Sequence, residues 1–280
     1  MDPMIGKVID GRFEVTGRIG EGGHSVIYRA SQVGFGIERE VALKILASHV
    51  SGDPEWVARF HASARALARV SHESAVQIFD SGKSEDDLHY IAMELVEGTT
   101  LRDELTRNGA LPPPRALAIL AQAARALGAM HARGIVHRDV KPESLLITGG
   151  PLVPGTVKLL FSSVLKTSDP DSPHTPAGKV LGTPWYMSPE QVKGARLGPP
   201  SDLYAAAVVL YEMIAGRRPF EGEDAVQVAV AHLRQAPPPL PDAPGLVAAI
   251  VERGLAKDPA SRYQSGEALA ADCEQGAELL

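Results

Sequence analysis

The sequence predicts an α+β fold in which strands come first and helices follow. Three observations carry this. Between Phe13 and Ile45 the chain consists of short β-type runs broken by glycines. From Pro54 to Val70 the apolar residues recur at helical spacing. From Pro112 onward one helical stretch succeeds another. Strands grouped early and helices grouped late give a sheet-plus-helix layer and a helical layer, not an alternating α/β sheet.

Taken in order, Phe13-Glu14-Val15, Ser25-Val26-Ile27-Tyr28 and Val41-Ala42-Leu43-Lys44-Ile45 predict strands of an antiparallel sheet. Val57, Phe60, Ala64, Leu67 and Ala68 form the apolar stripe of a helix over 54–70, with arginines between them. Strands are expected over 76–79 and 88–95, around a turn-rich stretch from Asp80 to Asp87, with Glu97-Gly98 as a linker. Pro112-Pro113-Pro114 opens a long helix through His131, proline being suited to a first turn. Asp202 to Ala215 is a near-continuous apolar helix, expected to be buried on most sides. Further helices are predicted over 225–233, 245–256 and 265–278, and the proline-rich run 235–244 can only be a loop.

The 280 residues suit one large domain or two lobes. With 44% hydrophobic and 22% charged residues the chain reads as an ordinary globular protein. A net charge of -6 argues against nucleic acid or an anionic membrane as the main partner. No apolar run approaches a bilayer span, Met1-Asp2-Pro3-Met4 has no charged n-region or apolar h-region, and Cys273 is the single cysteine. The expectation is a cytoplasmic chain without disulfides or membrane insertion.

Several runs bear on chemistry. Ile19-Gly20-Glu21-Gly22-Gly23-His24-Ser25-Val26 reads as an ordinary hairpin or as a loop whose backbone N–H groups approach phosphates with no Cβ in the way. Lys44, taken alone, is a solvated strand lysine, and 90–96 an ordinary buried strand. His137-Arg138-Asp139-Val140-Lys141-Pro142-Glu143 is the most specific run, with a low chance frequency. Leu181 to Glu190 and Asp258 to Tyr263 complete the set. Together these motifs resemble the bacterial, eukaryotic-like (Hanks-type) Ser/Thr protein kinases, from about residue 12 to about residue 273.

That resemblance implies a bilobal protein-kinase fold as a single domain over 1–280, with an N-lobe over 12–96 and a C-lobe over 97–275. It implies that Gly20, Gly22 and Gly23 fold over ATP phosphates, with Lys44 reaching the α- and β-phosphates. Val26 and Ala42 would cover the adenine, Leu146 would be a further nucleotide-binding residue, Met93 would be the gatekeeper, and the backbone of Glu94 and Val96 would face the adenine edge. Asp139 matches the acceptor of the substrate hydroxyl proton and Lys141 the partner of the transferring phosphate. Glu190 would pair with Arg262, and Asp202 would anchor the catalytic loop.

The sequence departs from the family at the positions that handle magnesium-bound ATP. The Glu that holds the strand lysine is Ser63, the metal-binding Asn is Ser144, and Asp-Phe-Gly reads Phe161, Ser162, Ser163. A phenyl ring cannot coordinate a hard cation, and a serine hydroxyl is a poorer ligand than an amide carbonyl. No metal site is therefore expected, and Lys44 is expected to be loosely positioned. The apolar stack of the family would read Phe79, Leu67, Ser162 and His137, with Phe161 turned inward to fill the gap or projecting into the phosphate region.

The resemblance with these losses implies a pseudokinase: a regulatory or scaffolding binding module in cytoplasmic signalling that requires no cofactor and binds ATP weakly without magnesium, or not at all. Its partner would be a protein, an active kinase or another signalling protein. The alternative is an unconventional, low-activity Ser/Thr kinase that uses Asp139 and Lys141 to transfer phosphate from ATP to protein. Thr167, Ser168, Ser172 and Thr175 would accept phosphate from an active kinase, with Arg138 as the receiving charge.

Overall fold

The computed structural model describes residues 2–33, 39–149, 155–161, 184–240 and 243–280. Its fold is the bilobal protein-kinase fold, and the chain divides after Glu97 into two compact units, Phe161 returning to the first. No helix among the described residues is long and apolar enough to cross a membrane.

The first unit is built on one antiparallel sheet. Its strands are β1 (Val8–Ile9), β2 (Phe13–Gly22), β3 (Ser25–Gln32), β4 (Arg39–Leu46), β5 (Ile78–Lys83) and β6 (His89–Glu94), in the order β1-β2-β3-β4-β6-β5. Side chains alternate across a pleated strand. Val41, Leu43 and Ile45 of β4 therefore share one face with Phe13, Val15, Tyr28, Ala30, Tyr90 and Ala92, and this face is the core. The opposite face of β4 carries Ala42 and Lys44, whose directly paired neighbours are Met93 and Ile91 on β6. Helices α1 (Ser48–Ser51) and α2 (Pro54–Leu67) join β4 to β5, and α2 is capped by Asp53, whose side chain accepts from the Glu55 N–H.

Two expectations are corrected here. The turn-rich segment after Phe79 is in part a strand, since Asp80 to Lys83 pairs with His89 to Ala92. The register shifts between Ile78 and Asp80, and such a bulge rotates the extra residue out of the ladder. Phe79 is accordingly 37% exposed, with the Arg39 guanidinium 3.8 Å above its ring, while Ile78 is the buried residue at this point. Phe79 is not part of an apolar stack.

The second unit opens with a small sheet of β7 (Thr99–Thr100), β8 (Leu145–Ile147) and β9 (Val157–Leu159), with α3 (Leu101–Asn108) and α4 (Pro113–His131) between the first two strands. Then come α5 (Pro189–Val192), α6 (Pro199–Ala215), α7 (Ala225–Arg234), α8 (Gly245–Gly254) and α9 (Gly266–Leu279). Helix α6 is buried from Ser201 to Met213, as its unbroken apolar sequence predicts. It starts at Pro199 because prolines are tolerated where N–H groups have no partner. Helices α4 and α9 pack closely: a Cβ on Gly266 would collide with the Ala124 carbonyl, so only glycine allows this approach.

Candidate active site

In the first unit, β2 and β3 form a hairpin in which Gly22 pairs with Ser25. A Cβ built on Gly20 or Gly23 would meet nothing within 4 Å, and neither residue has a positive φ. Neither crowding nor backbone strain requires glycine there, which leaves both backbones open to close approach from outside. The hairpin tip is held by His24, whose carbonyl accepts from the Ala47 N–H at 2.9 Å and whose ring stacks on Trp56 at 4.3 Å.

Lys44 is the central feature of this half. Flanked by Ile27 on β3 and Ile91 on β6, it is only 7% exposed. Its ammonium donates to the Phe161 carbonyl at 3.4 Å. Among the described residues no carboxylate pairs with it, and burial alone pulls its pKa down to about 8. The lysine expected to be loosely positioned is thus enclosed. Ser63 does not hold it: the serine is buried and its hydroxyl donates to the Arg59 carbonyl at 2.7 Å, one turn back on α2.

The register also bears on the expectation for Val26. Val26 pairs with Ile45 and packs against the core face, whereas Ile27 pairs with Lys44 and shares its face. The residue on the Lys44 face is Ile27, one position after the expected Val26. Ala42 and Met93 do sit on the Lys44 face. The Glu94 N–H is taken by the Gln77 carbonyl at 2.8 Å, and Val96 is half-buried. Phe161 is half-buried, which excludes a fully solvent-exposed ring; Ser162 and Ser163 lie outside the described residues, as do Thr167, Ser168, Ser172 and Thr175.

In the second unit Asp202 organises the loop from His137 to Ser144. Only 1% of this residue is exposed, and its carboxylate accepts from the His137 N–H at 2.8 Å, the Arg138 N–H at 2.7 Å and His131 Nε2 at 2.8 Å. Holding two successive N–H groups places Arg138 at φ 66, a costly conformation for a non-glycine residue. Gln191 Nε2 donates to the Arg138 carbonyl at 2.9 Å and steadies the same residue from α5. The His137 ring is set by its neighbours: Nε2 donates to the Leu160 carbonyl at 2.9 Å, and Nδ1 accepts from the Asp139 N–H at 3.3 Å.

Asp139 and Lys141 come together as an ion pair, Oδ2 to Nζ 2.7 Å, with side chains about a quarter exposed. Ser144 folds back on its own loop: its hydroxyl donates to the Lys141 carbonyl at 2.7 Å and accepts the Lys141 N–H at 3.1 Å. Leu146 is half-buried on β8, paired with Thr100 and Lys158. Magnesium requires several oxygen ligands in near-octahedral array. Serine at 144 and phenylalanine at 161 supply neither the amide nor the carboxylate oxygen that suits this ion.

Glu190 and Arg262 form a buried bidentate pair, NH1 to Oε1 2.8 Å and NH2 to Oε2 2.9 Å. The other guanidinium donors reach the carbonyls of Ala256, Lys257 and Pro200, so all five are used. Sequence reasoning missed a second, partly buried network. Arg102 Nε donates to Glu143 and NH1 to Glu212, both at 2.8 Å, while the Tyr186 hydroxyl donates to Glu212 at 2.5 Å. An arginine and a glutamate 110 residues apart carry no local pattern that would reveal them.

The protein kinase domain family matches residues 13–272. The Ser/Thr protein kinase PknA of Mycobacterium tuberculosis is 41% identical over 271 residues, covering 95% of this chain and 61% of that protein. PrkC of Bacillus subtilis is 39% identical over 274 residues, covering 96% of this chain and 41% of that one. The chain therefore spans between 41% and 61% of the length of these relatives. Among solved structures, the kinase domain of Mycobacterium tuberculosis PknI superposes with a TM-score of 0.73 at 26% identity, over 97% of this chain and 98% of that one. A family match running through both units, with relatives of one type, makes the chain a member of the protein kinase domain family, in its bacterial Ser/Thr branch.

Proposed function

We propose that this is a protein-kinase domain, its lobes near 12–96 and 97–275, in which metal-assisted phosphoryl transfer has been replaced by binding of a protein partner. One observation carries the reading: the Ser144 hydroxyl is engaged with Lys141 and position 161 is a phenyl ring, so neither metal-handling position offers an amide or carboxylate oxygen. Transfer depends almost wholly on positioning and on charge neutralisation by metal and lysine. With Lys44 buried and unpaired by carboxylate among the described residues, ATP would meet one cation there. Nucleotide binding is then weak and indifferent to magnesium, or absent.

A second reading is favoured by the relatives, which are named Ser/Thr protein kinases, and by the intact Asp139–Lys141 pair. In it the domain transfers phosphate from ATP to protein at a low rate. The comparisons weigh toward this second reading, the side chains at 144 and 161 toward the first. A radiolabelled ATP transfer assay on purified protein, with Asp139→Ala as control, decides between them. The first reading expects no incorporation above the control; incorporation that Asp139→Ala abolishes establishes the second.

A further inference from the structure

Within the first unit, two histidines join helix α2 to strand β6. His61 Nε2 lies 3.0 Å from His89 Nδ1, and the two rings cross at 71° with centroids 5.1 Å apart. His89 is buried and His61 half-buried, its other neighbour being the Phe60 ring at 5.6 Å. At 3.0 Å one nitrogen donates and the other accepts, whichever tautomers the rings adopt. A proton on the accepting nitrogen would set N–H against N–H. The bond therefore exists only while at least one ring is neutral.

The surroundings also oppose full protonation. The cations beside the pair are Arg65, one turn along α2 from His61, and Lys83 on β5, directly paired with His89. Asp87, in the turn between β5 and β6, is the anion near His89, and its carboxylate lies 2.8 Å from the Lys83 ammonium. Burial first, then the His89 ring and Arg65, lower the His61 pKa. For His89, burial and then Lys83 outweigh Asp87, and the shift is again downward.

What the pair secures is a helix that reaches the glycine hairpin. Trp56, near the start of α2, is the platform on which the His24 ring stacks at 4.3 Å. We infer that His61 and His89 form a proton-operated latch: with one ring neutral α2 is tied to β6, and protonation of both rings unties it, loosening the support of the hairpin tip. Once untied, each ring takes up a proton near pH 6.5, as in an unstructured chain. The tied state binds that second proton only at lower pH, so opening is favoured as pH falls through this value. The device acts on the hairpin whether or not the domain transfers phosphate.

Native-state hydrogen exchange, read by NMR at pH 7.5 and pH 5.5 and corrected for intrinsic rates, tests the latch. Amides over 58–67 should lose at least about tenfold in protection between the two conditions, the factor contributed by one excluded proton over that range. At pH 5.5 they should exchange faster than the amides of α6, through an opening that leaves α6 intact. His61→Gln and His89→Gln each keep a hydrogen-bonding side chain while leaving one ring to titrate, so either should remove about tenfold of the pH-dependent loss. Position 61, half-buried, serves where the more buried position 89 tolerates no change. The proposal is overturned if protection over 58–67 falls equally in parent and variant, or if at pH 5.5 these amides exchange only together with those of α6.

Discussion

The Ser144 hydroxyl closes back on Lys141, donating to its carbonyl at 2.7 Å and accepting its N–H at 3.1 Å. A short hydroxyl at this position therefore stabilises the three-residue turn Pro142–Ser144 without reaching outward. Ser144 thus serves the turn here, and what a longer amide would do there can be measured.

Restoring the family residues through Ser144→Asn, Phe161→Asp, Ser162→Phe and Ser163→Gly should make ATP binding depend on magnesium. A ligand at a hundred times its Kd stabilises the folded state by about 2.7 kcal/mol. The restored variant should thus gain several degrees in melting temperature with ATP and magnesium together, and little with ATP alone. The parent should respond equally with and without the ion. A large magnesium-dependent shift in the parent would refute the binding-module reading.

Glu190 and Arg262 should be costly to separate. Removing one partner of a buried pair leaves the other charge uncompensated, at about 3–5 kcal/mol. Arg262→Ala should lower the urea midpoint accordingly. For Glu190, burial pushes the carboxyl pKa up, but the hydrogen bonds from Arg262 and Ser201 outweigh it and the net shift is downward. The stabilisation is thus complete above the unfolded carboxylate pKa and is lost as pH falls through the lower folded value. The stability gap between the parent and Glu190→Gln should narrow on acidification; a gap that widens below pH 4 would contradict the assignment.

Long periodic elements were legible in the sequence. Helices α2, α4, α6 and α9 lie within three residues of their expected bounds, because their apolar spacing coincides with the face they bury. Strands were less exact at Phe79 and at Val26. A bulge or a one-residue slip reverses every side chain without changing composition. Helix α3 went unread because its sequence LRDELTRN is mostly polar, with Leu101 and Leu105 as its buried apolar contacts. In the candidate site, the Asp202 anchor of the loop and the Glu190–Arg262 pair follow short motifs and were legible. The Arg102 network and the enclosure of Lys44 depend on distant chain segments and show only in three dimensions.

Lys44→Met should raise stability. Burial lowers the folded pKa to about 8, against about 10.4 in an unfolded chain, and each unit is about 1.36 kcal/mol. At pH 7 the charged lysine therefore costs about 3 kcal/mol, which methionine of similar length removes. The unfolded state holds the proton more tightly, so parent stability rises between about pH 8 and pH 10 while the variant stays flat. Urea midpoints at pH 7 and pH 9 read both effects; a destabilised variant would show that the bond to the Phe161 carbonyl outweighs the burial cost.

His232 should make the protein acid-sensitive well above the carboxylate range. Fully buried, its ring accepts from the Tyr204 hydroxyl at Nδ1, 2.9 Å, and donates from Nε2 to the Trp185 carbonyl at 3.1 Å, a pattern available only to the neutral form. Burial first, and then the Lys257 charge, lower its pKa to about 4. The unfolded chain takes up this proton near pH 6.5, so stability is complete above that value and falls as pH drops toward 4. Between pH 8 and pH 5 the loss from this ring alone is about 2 kcal/mol. His24, His61 and His89 are also lowered by burial and act in the same direction, so the parent loses more in total. His232→Leu isolates the effect: less stable at pH 8, it should lose about 2 kcal/mol less than the parent on going to pH 5. Equal losses in the two proteins would mean that the ring is already charged in the folded state, and the hydrogen-bond pattern around Tyr204 would have to be reassigned.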